Sequence, residues 1–152
     1  MCAYNTLAKE KSISVHFKDK TEENIVYADI NKVLQILDNL ISNAVKFSPY
    51  DKKVYIKTEK IKIKKTNEKY IRIEVKDQGP GIKLEEMDKL FGKFNKLSAR
   101  PTAYENSSGL GLYIVKKLID GMKGKLWCES KENHGASFIF LLPVYDVDEE
   151  SE

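Results

Sequence analysis

The sequence has few of the residues that build metal centres and disulfide frameworks. It contains two cysteines and two histidines, and neither Cys2 nor Cys128 has a partner at metal-ligand spacing. Two free thiols in a reducing cytosol is the favoured interpretation, and secretion with one disulfide is the alternative. No apolar run approaches the ~20 residues of a membrane-spanning helix, and no signal-peptide pattern is present. We therefore expect a cytoplasmic domain without direct membrane contact, whose parent protein can still be membrane-anchored.

Neither positive nor negative charge is present in large excess. Charged residues make up 32% of the chain, yet the formal net charge is only +3, which argues against nucleic acid as the main partner. The densest basic run, residues 57–65, alternates with Ile61 and Ile63, which is typical of the solvated face of a strand. The length and the apolar fraction of 41% fit one globular domain with a substantial core.

Hydrophobic periodicity predicts an α+β fold. Three helices are expected, at residues 30–47, 84–90 and 110–122. Strands are expected at residues 12–17, 25–27, 54–63, 70–75, 126–129 and 137–142, with a turn at 66–68. Asp29 can cap the long helix, Pro49 follows its end and Gly124 stops the last helix. A phase slip between Ile56 and Ile61 predicts a bulge or a long irregular arm. The result is a two-layer α/β sandwich with a mixed, mostly antiparallel sheet and about three helices.

The domain boundaries follow from the same pattern. Residues 1–10 are interpreted as the end of a preceding linker or helix, residues 11–145 as one domain and residues 146–152 as an acidic tail. Residues 92–108 lack apolar periodicity and carry Gly, Pro, Asn and Ser. A loop of that length inside a compact domain is typically functional or disordered.

Three polar residues form one stripe of the long helix. Asn39, Asn43 and Lys46 are spaced by four and three residues, so they share a helix face. Asparagine is a mediocre helix former, and two of them one turn apart need a reason. Amide oxygens beside a cation suit a magnesium-phosphate site. A polar surface face of the helix is the alternative.

Two glycine clusters lie further along the chain. Residues 77–81 (Asp-Gln-Gly-Pro-Gly) follow an apolar strand, and their glycines indicate unusual backbone angles or close approach of a ligand, with a tight turn as the alternative. Residues 108–112 (Ser-Gly-Leu-Gly-Leu) open a helix, where free N–H groups and the positive end of the helix dipole favour an anion. A plain loop-to-helix junction is the alternative there, because neither a P-loop nor a dinucleotide fingerprint is present.

Together and in this order, the motifs resemble those of the ATP-binding catalytic domain of bacterial two-component sensor histidine kinases. That domain belongs to a superfamily shared with gyrase, heat-shock chaperone and mismatch-repair ATPases. The matching segments are the N box (38–47), the G1 box (77–81), the F box (90–96), the ATP lid (92–108), the G2 box (109–111) and the closing hairpin (135–143). The resemblance covers nearly the whole chain and implies a Bergerat-type ATP-binding fold.

The resemblance implies ATP and Mg²⁺ as cofactors and suggests a role for each matching residue. Asn43 would bind Mg²⁺ with Asn39 in support, Lys46 would meet phosphate, and Asp77 would accept the adenine amino group. Asn39, Lys46 and Lys96 would act in catalysis, with Lys96 approaching the γ-phosphate from the lid. The other nucleotide-contacting residues that it implies are Phe47, Gly79, Gly81, Ile82, Leu97, Ser108, Gly109, Leu110, Gly111 and Leu112.

Asn39 separates phosphoryl transfer from hydrolysis. In the hydrolytic relatives, a glutamate that activates water stands four residues before the magnesium asparagine. An amide cannot take a proton from water at neutral pH. The resemblance therefore implies a histidine protein kinase that donates the γ-phosphate to a histidine on a separate domain, and it disfavours a gyrase-like ATPase. Such transfer depends mainly on positioning and charge neutralisation.

The chain departs from a complete histidine kinase in two ways. His16 falls in a predicted strand and His134 in a turn, so neither is interpreted as the phosphoacceptor. Ala136 stands where the family usually carries Ser or Thr, and Ser137 is expected to face the other side of its strand. The implied partners are the dimerisation and phosphoacceptor domain of the parent kinase and the receiver domain of a response regulator, with the isolated domain monomeric. The alternative function is a nucleotide-binding switch or a protein-serine kinase of the anti-sigma type.

Overall fold

A computed structural model describes residues 4–20, 29–92 and 111–144 of the chain. Its elements, in chain order, are α1 (Tyr4–Glu10), β1 (Ser14–Lys20), α2 (Ile30–Phe47), β2 (Lys53–Lys62), β3 (Lys69–Lys76), a 3-10 helix (Leu84–Lys89), α3 (Gly111–Gly121), β4 (Lys125–Ser130) and β5 (Ala136–Pro143). The predicted α+β class is confirmed. The predicted strand at 25–27 and the acidic tail at 146–152 lie outside the described residues.

The described strands form one sheet in the order β1-β2-β3-β5-β4. β1 pairs with β2 in parallel, whereas β2 with β3, β3 with β5 and β5 with β4 are antiparallel. Parallel neighbours need a crossover connection, and α2 lies in the one between β1 and β2. The mixed, mostly antiparallel sheet expected from the sequence is therefore present.

α2 has clear start and stop signals. The Asp29 side chain accepts a hydrogen bond from the backbone N–H of Asn31 at 2.9 Å, which satisfies a donor that the helix leaves free. At the other end, Ser48 is extended and Pro49 follows, so the helix ends at Phe47. Both boundaries agree with the sequence prediction.

The core lies between one face of the sheet and the helices. Its fully buried apolar residues are Ile36, Leu40, Val45, Val54, Val75, Val115, Ile119 and Phe140. Full burial of one such side chain contributes about 1.5–3 kcal/mol, so this layer fixes α2 and α3 against the sheet.

The predicted bulge or irregular arm in β2 is wrong. β2 and β3 pair without a break for every residue from 55 to 62 of β2. The apolar phase slips because Ile61, opposite Tyr70 of β3, lies on the other face of this regular strand from Ile56. On the same side as Ile56, the next residue is the polar Thr58. Its hydroxyl donates to Asp19 on the neighbouring strand at 2.7 Å, so the polar side chain is satisfied without an extra residue.

The end of α3 differs in detail from the prediction. Lys123, and not a glycine, has the left-handed backbone angle (φ 58°). The Gly124 N–H then donates to the Ile119 carbonyl at 3.0 Å, which is the bonding of a Schellman cap. Gly124 is needed for space, because a Cβ atom there would lie 2.4 Å from the Leu141 carbonyl oxygen.

Candidate functional site

The asparagine stripe lies on α2 as predicted. Asn39, Asn43 and Lys46 are all half-buried, whereas Leu40 and Ala44 next to them are buried in the core. The stripe therefore runs along the border between core and surface. Amide oxygens at such a border can reach a ligand and still keep part of their contact with water.

Asp77 follows directly after β3, and only 7% of its surface is exposed. Its Oδ1 atom accepts hydrogen bonds from the N–H groups of Gly79 at 2.9 Å and Ala136 at 3.1 Å. The Asp77 N–H in turn donates to the Ala136 carbonyl at 2.9 Å. Among the described residues none donates to Oδ2. One carboxylate oxygen is thus held in place, and the other is left as an acceptor.

The environment of Asp77 changes its acidity. Burial raises the pKa of Asp77 to about 6, because desolvation outweighs the two backbone hydrogen bonds, which lower it. At neutral pH the group is therefore mostly ionised, in a site where a charged acceptor binds an N–H donor strongly. Burial, followed by the charges of Asp77 and Glu129, raises the pKa of the Cys128 thiol to about 12. Cys128 is consequently an unreactive thiol.

The glycines after Asp77 permit close backbone packing. A Cβ atom at Gly79 would lie 2.6 Å from the Phe47 carbonyl oxygen, so the turn can touch the end of α2 only with glycine there. Gly81 has φ +75°, and its Cβ would lie 2.2 Å from the Lys131 carbonyl oxygen. This combination of angle and space excludes every other residue type. The tight-turn interpretation is therefore correct as geometry, and the turn also contacts α2.

Sequence reasoning missed two contributors to this turn. The Ser130 hydroxyl accepts a hydrogen bond from the Ile82 N–H at 2.9 Å and donates to the Gly135 carbonyl at 2.8 Å. Ala136 lacks the hydroxyl that the family usually carries at this position, but its backbone N–H donates to Asp77 Oδ1 and its carbonyl accepts from the Asp77 N–H. Almost any residue type can make such backbone hydrogen bonds, so the sequence does not indicate them.

The start of α3 comes close to the asparagine stripe. A Cβ atom at Gly111 would lie 3.6 Å from Asn39 Oδ1, and Leu112 packs against the core. The N-terminal end of a helix carries partial positive charge and free N–H groups. α2 therefore contacts both glycine clusters, through Asn39 at one point and through Phe47 two turns further along.

Part of the predicted site belongs to the segment between residues 92 and 111. Lys96, Leu97, Ser108, Gly109 and Leu110 lie outside the described residues, as does the lid apart from Gly92. The part of the F box that is described contributes Phe91, whose ring packs edge-on against Phe138 at 6.3 Å between centroids.

The two histidines lie where the sequence predicted. His16 is exposed on β1, where its ring stacks on Tyr55 at 5.4 Å between centroids, and His134 is exposed in the turn before β5. Over residues 4–20, 29–92 and 111–144, no cluster of His, Cys, Asp and Glu could hold a metal. In the same ranges no helix is long and apolar enough to cross a membrane.

Comparison with known proteins agrees with this geometry. The family described as histidine kinase-, DNA gyrase B- and HSP90-like ATPase matches residues 28–146. The sensor histidine kinase WalK of Bacillus subtilis is 33% identical over 92% of this chain, and the autoinducer 2 sensor kinase/phosphatase LuxQ of Vibrio parahaemolyticus is 32% identical over 94%. The chain spans only 23% of WalK and 17% of LuxQ.

Solved structures give the same result. The catalytic domain of histidine kinase ThkA superposes with a TM-score of 0.75 at 31% identity, covering 92% of this chain and 84% of that domain. A structure of ThkA in complex with the response regulator protein TrrA matches with a TM-score of 0.71 at 28% identity, covering 93% of this chain and 37% of that one. The chain therefore belongs to the family of histidine kinase-, DNA gyrase B- and HSP90-like ATPases, and within it to the catalytic domains of sensor histidine kinases.

Proposed function

We propose that this chain binds Mg-ATP and donates the γ-phosphate to a histidine on a separate dimerisation domain. The observation that carries the proposal is the double contact of α2, through Phe47 to the turn at Gly79 and through Asn39 to the start of α3. One helix thereby joins a buried carboxylate, suited to an amino group, to a helix N-terminus, suited to an anion. A nucleotide carries both kinds of group on one molecule.

At the base end, Asp77 accepts the adenine amino group through Oδ2. Its Oδ1 atom is held by two backbone N–H groups, so the carboxylate cannot turn to suit another base. A base with a carbonyl at the same position is rejected, because two acceptors would face each other without a proton between them. Gly79 and Gly81 allow the backbone to approach the ring, and the buried Ile82 supplies an apolar contact.

At the phosphate end, the donor set fits a magnesium ion. Mg²⁺ prefers hard oxygen ligands and keeps several waters, and the half-buried amide of Asn43 offers one such oxygen, with Asn39 beside it. An ion held there would neutralise charge on the phosphate oxygens. Lys46 meets phosphate from α2, and the N-terminal end of α3 at Gly111 supplies N–H donors. Lys96 lies outside the described residues, and its role at the γ-phosphate stays the one that the sequence resemblance implies.

Asn39 favours transfer over hydrolysis. A neutral amide next to the phosphates can orient groups by hydrogen bonds, but it cannot remove a proton from water. The site therefore holds ATP until a stronger nucleophile, the acceptor imidazole, reaches the γ-phosphate. Because WalK and LuxQ are several times longer than this chain, the acceptor domain is assigned to the parent kinase. We place a response regulator as the next recipient of the phosphoryl group, and the structure of ThkA in complex with the response regulator protein TrrA supports a contact of that kind.

The proposal is tested by nucleotide binding and by phosphotransfer. The chain is titrated with Mg-ATP and Mg-GTP, and then incubated with labelled ATP and its cognate dimerisation domain. Wild type is expected to bind ATP in preference to GTP and to label the acceptor, whereas Asp77→Asn is expected to lose both properties. Asp88→Asn, at an exposed site on the 3-10 helix, is the matched control.

Two results would contradict the proposal. Unchanged nucleotide binding and transfer in Asp77→Asn would remove the assigned base site. Acid-stable label on serine would replace the histidine kinase by the anti-sigma type of protein-serine kinase, since phosphohistidine is acid-labile. Steady phosphate release by the isolated chain at roughly 1 s⁻¹ or more, an ordinary enzyme turnover, would instead indicate an ATPase.

A further inference from the structure

A lysine is completely buried next to the end of α2. Lys11, between α1 and β1, has 0% of its surface exposed and is, with Phe140, among the largest fully buried side chains of the described residues. Its Nζ atom donates hydrogen bonds to the carbonyls of Val45 at 2.8 Å and Lys46 at 3.1 Å. A buried ammonium is costly unless it is well paired, and these two bonds contribute to its pairing.

The partners of Lys11 are groups that a helix leaves unsatisfied. The last four carbonyls of an α-helix have no partner within the helix, and they carry partial negative charge. In α2, the Ala44 carbonyl accepts a hydrogen bond from the Ser48 N–H at 3.1 Å. The next two carbonyls, those of Val45 and Lys46, accept hydrogen bonds from Lys11. The last one, that of Phe47, faces Gly79. Lys11 therefore fixes the turn of α2 that touches the Asp77 segment.

Lys11 is itself held from two other sides. Its N–H donates to the Leu7 carbonyl of α1 at 3.0 Å, and its carbonyl accepts from the Asp51 N–H, ahead of β2, at 2.9 Å. The Nζ atom also lies 5.8 Å from the centre of the Tyr50 ring, a favourable distance for a cation next to an aromatic face. A displacement of this lysine would be passed to the end of α2 through two hydrogen bonds.

We propose that Lys11 is a positioning residue of the nucleotide site. It does not touch nucleotide; it holds the backbone of the last turn of α2, so that the Lys46 side chain meets phosphate. This inference rests on the proposed function, because it requires that nucleotide binds at α2. If Lys11 only stabilised the fold, its removal would lower the free energy of unfolding. Its removal would not specifically weaken the binding that depends on Lys46.

A double-mutant cycle distinguishes positioning from stabilisation. Lys11→Met, Lys46→Ala and the double variant are titrated with Mg-ATP, alongside urea denaturation of each. Lys11→Met is expected to weaken Mg-ATP binding about tenfold in the wild-type background and less than about twofold in the Lys46→Ala background, since coupled residues are not additive. Lys11→Arg, which keeps the charge and the donors, is expected to restore most of the affinity. Lys9→Met, at an exposed position of α1, is the control.

The other outcomes would overturn the proposal. Equal weakening in both backgrounds, or no weakening despite a lower unfolding free energy, would make Lys11 a stabilising residue only. If Lys11→Met does not fold, Lys11→Gln, which keeps a neutral NH2 donor group, takes its place in the cycle. If neither variant folds, Lys11 is a stabilising residue only. If wild type itself does not bind Mg-ATP, the proposed function fails. If wild type binds and Lys11→Met binds equally well, only this inference fails.

Discussion

The carbonyl oxygen of Phe47 lies 2.6 Å from the point that a Cβ atom at Gly79 would occupy. The end of α2 and the turn after β3 are thus in contact through backbone atoms alone. A larger residue at position 79 would collide with a main-chain carbonyl, and no change of side-chain rotamer can remove that collision.

Gly79→Ala is therefore expected to separate α2 from the turn. We expect the free energy of unfolding to fall by about 1–3 kcal/mol, as for other overpacked sites, and ATP affinity to fall at least tenfold. Urea denaturation and Mg-ATP titration measure the two effects. Gly121→Ala is the control: a Cβ there meets nothing within 4 Å, and alanine is the better helix former, so stability should rise slightly. Equal behaviour of the two variants would disprove the close contact.

The affinity for adenosine should depend on the ionisation of Asp77. Its pKa is raised to about 6, mainly by burial, and the protonated carboxyl is a poorer acceptor for an amino group. Adenosine binding is expected to be constant above pH 7 and to weaken as the pH falls through 6. Adenosine is used because it has no phosphates that titrate in this range. A flat profile between pH 5 and pH 8 would contradict the assignment of Asp77 to the base.

The ionised Asp77 is also expected to destabilise the folded state at neutral pH. Its native pKa of about 6 lies above the ordinary value of 3.8, so the folded state favours the protonated form. The contribution of this carboxyl to stability is complete below pH 3.8 and is lost as the pH rises through 6. A shift of this size corresponds to roughly 3 kcal/mol.

Replacing the Asp77 carboxylate by a neutral amide should restore part of the lost free energy of unfolding. Asp77→Asn is expected to be more stable than wild type at pH 7, and the difference should shrink towards pH 4. Urea denaturation at several pH values measures it, and the same variant should bind nucleotide poorly. A variant that is less stable than wild type at pH 7 would show that the two hydrogen bonds to Oδ1 matter more than desolvation.

Ser130→Ala should loosen the turn that follows Asp77. The hydroxyl bridges the Ile82 N–H and the Gly135 carbonyl, and its removal leaves both partly buried groups without their partner. We expect a loss of about 1–3 kcal/mol in the free energy of unfolding. Ser14→Ala, at the exposed start of β1, should change stability by less than about 0.5 kcal/mol. Similar values for the two variants would argue against the bridge.

Much of this architecture could be predicted because its signals are local. α2 combines strong periodicity with a capping aspartate and a terminating proline, and the predicted boundaries are confirmed. The bulge was predicted wrongly because the apolar residues of β2 change from one face to the other between Ile56 and Ile61, which the regular pairing with β3 accommodates without an extra residue. Only the neighbouring strand reveals Asp19 as the partner of the polar Thr58. Lys11 and Ser130 were missed for the same reason. Their partners lie 34 and 48 residues away in sequence, where no periodic pattern reaches.

The two contacts that α2 makes through Asn39 and Phe47 also fix its length. Each residue in an α-helix turns the chain by about 100° and advances it by about 1.5 Å. An insertion or deletion of one residue between these positions would rotate one contact away from its partner while the other stayed in place. The loop at residues 64–68, which is exposed and joins β2 to β3, carries no such constraint. Length variation in this domain should therefore be tolerated there and excluded from the last two turns of α2.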